Sequence, residues 1–281
     1  MSHALLSTID QAVTLCAVLI LAVFGVWWVL VSRRDPLAGA PQRANTIRDD
    51  ALVFVLVVYL LGALVAQKVS QLLVGGRGDV FVNLMAGSGA QLVGIGACLT
   101  IASLRFEGGI AAFCLGTSSL RRGSGFVLLV GGTVVALGLC PIVLEASMAL
   151  VRWLAPLHEL RTHPTIEALH YPDASLFIKA LLWIGACVIA PVAEELFFRG
   201  LLQTFLVNLL RNRWLAMSLA PVAFSVVHMS QEYAIPALAV LAMLIGYLYE
   251  RSGSLLLPVL VHAAFNTKTL VWDLLASSPG Q

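Results

Sequence analysis

Three ionisable side chains crowd one apolar stretch of the chain, Pro191-Val192-Ala193-Glu194-Glu195-Leu196-Phe197-Phe198-Arg199-Gly200. A charged group near the bilayer centre costs about 2.5–3.5 kcal/mol on insertion scales, so each one is by default a functional group or half of a structural ion pair. Spacing separates the two acids. Glu195 and Arg199 stand four apart with the acid first, the favourable order for an ion pair on one helix face. Glu194 points about 100° away around the helix and does not share that partner. The simplest reading makes Glu195 and Arg199 a clamp and leaves Glu194 for chemistry. The competing reading is a single buried ion network that only holds a bundle together.

Two further apolar stretches carry polar groups at the same spacing, Phe224 with His228 and His262 with Asn266. A lone histidine in an apolar helix is commonly a hydrogen-bonded core residue. Two of them beside a paired-glutamate helix point to chemistry instead. Glu194, His228 and His262 have the makeup either to ligate a divalent metal such as Zn2+ with one position left for water, or to bind and deprotonate water directly. Both routes are hydrolytic. The Asn266 amide is a donor suited to an oxyanion.

The elements that must carry these residues follow from composition. Of 281 residues, 17 are basic, 15 acidic and 59% hydrophobic, against about 25% charged and about 45–50% apolar in soluble chains. A soluble domain, a disordered tail, a collagen-like fibre and a disulfide-stapled module are excluded. The net charge of +2 argues against a nucleic-acid partner. The five cysteines form no C-x-x-C pair and mostly sit in apolar runs, where free cysteine acts as a small hydrophobe.

Eight apolar runs are long enough to be considered as spans, roughly residues 12–31, 51–67, 84–104, 126–151, 176–210, 214–229, 234–249 and 255–272. Lipid offers the backbone no hydrogen-bond partner, so the fold class is all-α, a polytopic membrane protein with about eight transmembrane helices. Residues 1–174 are expected to form helices 1–4 and their loops, and residues 175–281 the core of helices 5–8. The fifth run would extend about 52 Å as one helix, more than a bilayer needs, and Pro191 is its natural break. The first run has neither a basic n-region nor a small-residue cleavage site, and reads as a permanent helix.

Loop charges favour both termini outside. That orientation puts Arg33, Arg34, Arg43, Arg48, Arg105, Arg121, Arg122, Arg211, Arg213 and Arg251 on the cytoplasmic side, against Lys68, Arg77, Arg152 and Arg161 on the other.

Taken together, these segments resemble the CAAX-protease and bacteriocin-processing family of intramembrane endopeptidases, also called the Abi family, which includes the eukaryotic Ras-converting endopeptidase. Glu194-Glu195-Leu196-Phe197-Phe198-Arg199 is similar to the family's E-E-x-x-x-R, and Gly200-Leu201-Leu202-Gln203 follows as is usual there. Phe224-Ser225-Val226-Val227-His228 is similar to F-x-x-x-H, and His262-Ala263-Ala264-Phe265-Asn266 to H-x-x-x-N. The run Gly246–Leu255 also resembles the family's lead into its last helix. The likeness covers roughly Leu176 to Trp272, about a third of the chain.

The resemblance implies that Glu194 and His228 activate water, that His262 and Asn266 hold the oxyanion, and that Glu195 and Arg199 keep the site in shape. It leaves the metal open, since the family is classed with metalloproteases and has also been described as glutamate-dependent. It implies a membrane-associated or lipidated protein or peptide substrate and a multi-pass place in the bilayer, expected to be a bacterial cytoplasmic membrane. Prenylated CAAX proteins are the substrates of the eukaryotic branch. Oligomeric state does not follow.

Two rival readings use the same residues differently. In a proton-coupled transporter Glu194, His228 and His262 would relay protons. In a catalytically silent scaffold or immunity protein they would only hold a binding surface.

Other near-motifs carry less. Gly76-Arg77-Gly78-Asp79 matches the G-x-G-D of presenilin-type proteases but lacks a transmembrane Tyr-Asp partner, so it reads as a turn. Ser88 and Ser124 fall in near misses to the rhomboid G-x-S-G, where glycines serve turns and close helix packing. The stretch Arg152–Asp173, with His158, His163, His170, Glu159 and Glu167, reads as a solvated loop with a short interfacial helix rather than a metal site. Glu145, Lys179 and Lys268 read as interfacial, snorkelling groups.

Overall fold

The structure is a computed structural model that describes residues 3–33, 35–41, 47, 49–74, 79–117, 120, 123–160, 162–171 and 174–276. Among these residues every regular element is a helix and no strand occurs, in keeping with apolar runs that must satisfy their own backbone. In chain order the elements are α1 (His3–Val26, continued by a π-helical turn Trp27–Ser32), α2 (Asp49–Val74), α3 (Asp79–Arg105), a 3-10 turn Gly109–Phe113, α4 (Gly123–Leu154) and α5 (Pro164–Leu169). The long helix of the fifth run follows as α6 (Leu176–Ile184), a π turn Gly185–Ile189, α7 (Ala190–Glu195), a π turn Leu196–Gln203 and α8 (Thr204–Leu210). The chain ends with α9 (Arg213–Val226), a 3-10 turn Met229–Ala234, α10 (Ile235–Ser252) and α11 (Leu256–Ala276).

Each of the eight apolar runs lies mainly on helix, the fifth over α6–α8 and the sixth as far as Val226. Among the described residues six stretches are long and apolar enough to cross a membrane, namely Ala4–Ser32, Asp50–Leu72, Phe81–Arg105, Ser124–Leu154, Leu176–Leu210 and Gln231–Ser252. The sixth run is a 14-residue helix, about 21 Å long at 1.5 Å per residue. The eighth, α11, has 21 residues and carries Lys268 and Asp273 within them. The glycine-rich turn Gly75–Gly78 lies outside the described residues, as do Arg34, Arg43, Arg48, Arg77, Arg121, Arg122, Arg161 and Asp173 from the orientation and loop readings.

The chain divides into two compact units. The first comprises Met1–Gln42, Gly116–Arg161 and Met217–Gln281. Its central element is α4, which packs against α1, α10 and α11. Glycines allow the close approaches: a methyl on Gly132 would fall 2.6 Å from Leu248 Cδ1, and one on Gly138 would fall 2.6 Å from Ala17 Cβ. Ala136 and Cys140 of α4, Ala237, Leu241, Ile245 and Leu248 of α10, and Val261 of α11 form the buried core. The second unit comprises Arg43–Leu115 and Thr162–Ala216, with α3 as its hub against α2, α5 and the long helix. Gly62 and Gly89 bring α2 and α3 together, with Val93 and Ala66 in the spaces their side chains would fill. Of the two glycines around Ser88, Gly89 has the packing role expected of them, while a methyl on Gly87 would meet nothing within 4 Å.

The loop histidines have structural work. His163 caps α5, its Nδ1 accepting from the Thr165 N–H at 3.1 Å, and Thr165, Ala168 and Leu169 of that helix are buried. His158 Nε2 meets Glu232 Oε1 at 2.5 Å. Lys268, read from sequence as a snorkelling residue, instead pairs with Asp10 of α1 at 2.9 Å. Its side chain is 16% exposed, so the ammonium is held by a carboxylate rather than extended to the interface.

Candidate functional site

In the second unit, the Leu176–Leu210 helix begins with Ser175, whose Oγ accepts from the Ile178 N–H at 3.4 Å. Pro191 has no N–H and would break a regular ladder. The chain answers with the π turn just before it, where the Ala190 N–H reaches back five residues to the Gly185 carbonyl. A second π turn follows Glu195, and the Thr204 hydroxyl donates to the Arg199 carbonyl at 3.1 Å. Such turns are rare and cluster at functional sites. Here two of them bracket the six residues of α7 that end in both glutamates.

Glu195 is 0% and Arg199 1% exposed, and Arg199 Nη1 donates to Glu195 Oε1 at 3.1 Å. The four-residue spacing thus forms the ion pair expected from it. Glu194 is half-buried. It lies within electrostatic reach of Tyr59 on α2, and both glutamates bear on Arg199. The distinction between the two acids is therefore one of degree: Glu195 holds the direct bond, and Glu194 stands in the same field with part of its surface open. Gly200 follows Arg199 because a side chain there would meet Phe113, whose Cε1 lies 2.7 Å from the position of a Cβ. Phe113 is fully buried and stacks edge-on against Phe106 at 5.3 Å.

In the first unit, α9 ends at Val226 and His228 sits just past it with φ −105° and ψ 18°. Its Nδ1 lies 2.9 Å from the Phe224 carbonyl. A carbonyl only accepts, so Nδ1 carries hydrogen, and in the neutral ring Nε2 presents a lone pair. Phe224 is fully buried, with ring contacts to His228 at 4.9 Å and to His262 at 5.9 Å. One aromatic ring thereby orders both imidazoles. His262 is 3% exposed, and Asn266, one turn further along α11, is half-buried.

The turn before α11 explains the Gly246–Leu255 run in physical terms. Gly253 closes α10 at φ +68°, its N–H bonded to the Tyr249 carbonyl at 2.9 Å. Ser254 opens α11 by accepting from the Leu256 N–H at 3.3 Å.

The first unit thus gathers Phe224, His228 and His262, with Asn266 on the same helix as His262. The second gathers Glu194, Glu195 and Arg199. Within each unit taken by itself, the described residues include no group of three His, Cys, Asp or Glu able to hold a metal ion. Sequence reading passed over Phe113, Tyr59 and Asp10. Gly200 was the only local signal of Phe113, and nothing near Asp10 in the chain marks its partner.

These observations describe a multi-pass integral membrane protein with a buried acid–base pair on one interrupted helix and two imidazoles ordered by one aromatic ring. Residues 176–267, about a third of the chain, match the family described as type II CAAX prenyl endopeptidase Rce1-like. The match bears out the resemblance to the CAAX-protease and bacteriocin-processing family, and the matched residues contain all three motifs. No match is found among curated proteins or among solved structures.

Proposed function

We propose that the chain is an intramembrane endopeptidase of a bacterial cytoplasmic membrane, cutting a membrane-associated or lipidated protein or peptide. The observation that carries this reading is the family match over residues 176–267, which spans E-E-x-x-x-R, F-x-x-x-H and H-x-x-x-N in order. Residues 175–281 form the protease core in this reading, and residues 1–174 the N-terminal membrane helices and their loops.

Glu194 and His228 take a proton from water as its oxygen bonds to the scissile carbonyl carbon. The contact of His228 Nδ1 with the Phe224 carbonyl supports this role, since in the neutral ring an Nδ1–H engaged there leaves the lone pair on Nε2. His262 and Asn266 donate hydrogen bonds to the oxyanion that forms. Collapse of the tetrahedral intermediate breaks the C–N bond, and the proton held by Glu194 and His228 passes to the leaving amine. Glu195 and Arg199 keep α7 in register. Glu194, His228 and His262 have the donor chemistry of a three-ligand divalent site, and an ion there would lower the pKa of a bound water.

The test compares wild type and Glu194→Ala in nanodiscs, with bound metal quantified and with fluorogenic hydrophobic and prenylated peptides supplied with and without chelator. Cleavage by wild type only is expected, with a loss of about 10²–10⁴-fold in the variant. Survival or loss of cleavage under chelation decides the metal. Equal cleavage by both proteins overturns the role of Glu194. Wild type that cuts no peptide but moves a solute with a pH gradient in proteoliposomes is a transporter. Retention of cellular function by Glu194→Gln leaves the scaffold.

A further inference from the structure

The N-terminal helix carries a polar device that neither the motifs nor the family match reaches, since Asp10 lies far outside residues 176–267. Asp10 Oδ1 pairs with Lys268 Nζ at 2.9 Å, and Asp10 Oδ2 accepts from Trp272 Nε1 at 2.9 Å. The Lys268 ammonium also sits 5.0 Å from the centre of the Trp272 ring. One carboxylate therefore holds two residues a single turn apart on α11, with each oxygen bound to a different partner. One turn further along α1, Thr14 Oγ1 donates to the Gly138 carbonyl of α4 at 3.3 Å, and Ala17 is buried beside Gly138. The helix that carries Asp10 is thus fixed to the central helix of its unit.

We propose that Asp10 is a positioning residue that sets the rotation and axial height of α11, and so aims His262 and Asn266. This rests on the endopeptidase reading above. By the 3.6-residue period, the Lys268–Trp272 stripe lies about 120° around α11 from the His262–Asn266 stripe. The clamp grips the helix on a different face and leaves the oxyanion face unobstructed. At the opposite end, Ser254 and Gly253 fix the start of α11. Two anchors bracket the two groups, and releasing one lets the helix turn or slide, carrying both groups off target together. A misplacement of about 1 Å costs about 10²-fold in rate. The effect falls on the chemical step because the clamp touches no reacting atom.

The test uses the full chain in nanodiscs, with Cys16 and Cys114 replaced by Ser and nitroxide labels placed at Ser7 and Thr269, both exposed. Dipolar spectroscopy reads the α1–α11 distance, and peptide cleavage reads kcat and KM. Asp10→Ala is expected to broaden the distance distribution and lower kcat about 10–100-fold with KM within about twofold. The charge-swapped pair Asp10→Lys with Lys268→Asp is expected to narrow the distribution again and recover part of kcat. An unchanged distribution in Asp10→Ala overturns the clamp whether or not any peptide is cut. A broadened distribution with unchanged kcat overturns the positioning role. If wild type cuts nothing, the endopeptidase reading falls and the aim toward an oxyanion falls with it, while the distance measurement still decides the clamp.

Discussion

The Glu195–Arg199 pair permits a quantitative test of what holds the interrupted helix. Both side chains are fully buried and bonded at 3.1 Å. An exposed pair of this kind contributes about 0–1 kcal/mol. Removing one partner of a buried pair costs about 3–5 kcal/mol, because the other charge is left in a low-dielectric interior. Arg199→Met is therefore expected to destabilise the chain by about 3–5 kcal/mol. Glu195→Leu should cost less than Arg199→Met, because Arg199 also feels Glu194 and keeps an opposite charge nearby. The double variant leaves no unpaired charge within the clamp and should lie well above the sum of the singles, with a coupling energy near the top of the usual range of about 0.5–3 kcal/mol. The four proteins are compared by reversible unfolding in mixed micelles titrated with a denaturing detergent, followed by far-ultraviolet circular dichroism. Singles that add to within about 0.5 kcal/mol, or that each cost under about 1 kcal/mol, would refute a buried clamp.

Gly200→Ala is expected to destabilise by about 1–3 kcal/mol through overpacking against Phe113. Phe113→Leu in the same chain should recover part of that loss, and a Gly200→Ala protein as stable as wild type would contradict the close approach. Gly253→Ala should cost about 1–2 kcal/mol from its left-handed backbone, with Pro41 atoms 3.1 Å from the new methyl adding to it; an unshifted unfolding midpoint would remove the turn from the account. Asn266→Ala should lower kcat by about 10²–10³-fold with KM nearly constant, and a rise in KM at constant kcat would move Asn266 from oxyanion stabilisation to ground-state binding.

Much of this architecture is legible in the chain because lipid removes alternatives. Apolar runs of span length must be helices, and all eight lie on helices for most of their length, the sixth only as far as Val226. The i,i+4 rule reaches Glu195 and Arg199 because both lie on one short stretch. The two π turns are not legible in this way, since an extra residue within a uniformly apolar helix leaves no mark on a hydrophobic pattern. Pro191 shows where a break is needed but not that a wider turn supplies it. Long-range pairs are hidden for a different reason. Lys268 is read locally as a snorkelling lysine, and only the packing of the first helix reveals that Asp10, 258 residues earlier, takes its charge. The sixth run overreaches by counting past Val226, where a 3-10 turn replaces the helix and frees His228 from its regular backbone.

A π turn adds a residue to a helix, which makes it a phase shifter. Bracketing α7 with two of them decouples the direction in which Glu194 points from the stripes that face lipid at either end of the same helix. The six residues between the two turns thereby hold a bearing of their own, separate from that of the outer segments. Losing one residue from either π turn would leave the helix intact and still apolar, yet rotate one end by about 100° relative to the carboxylates. Such a chain would insert normally and be miswired at its centre.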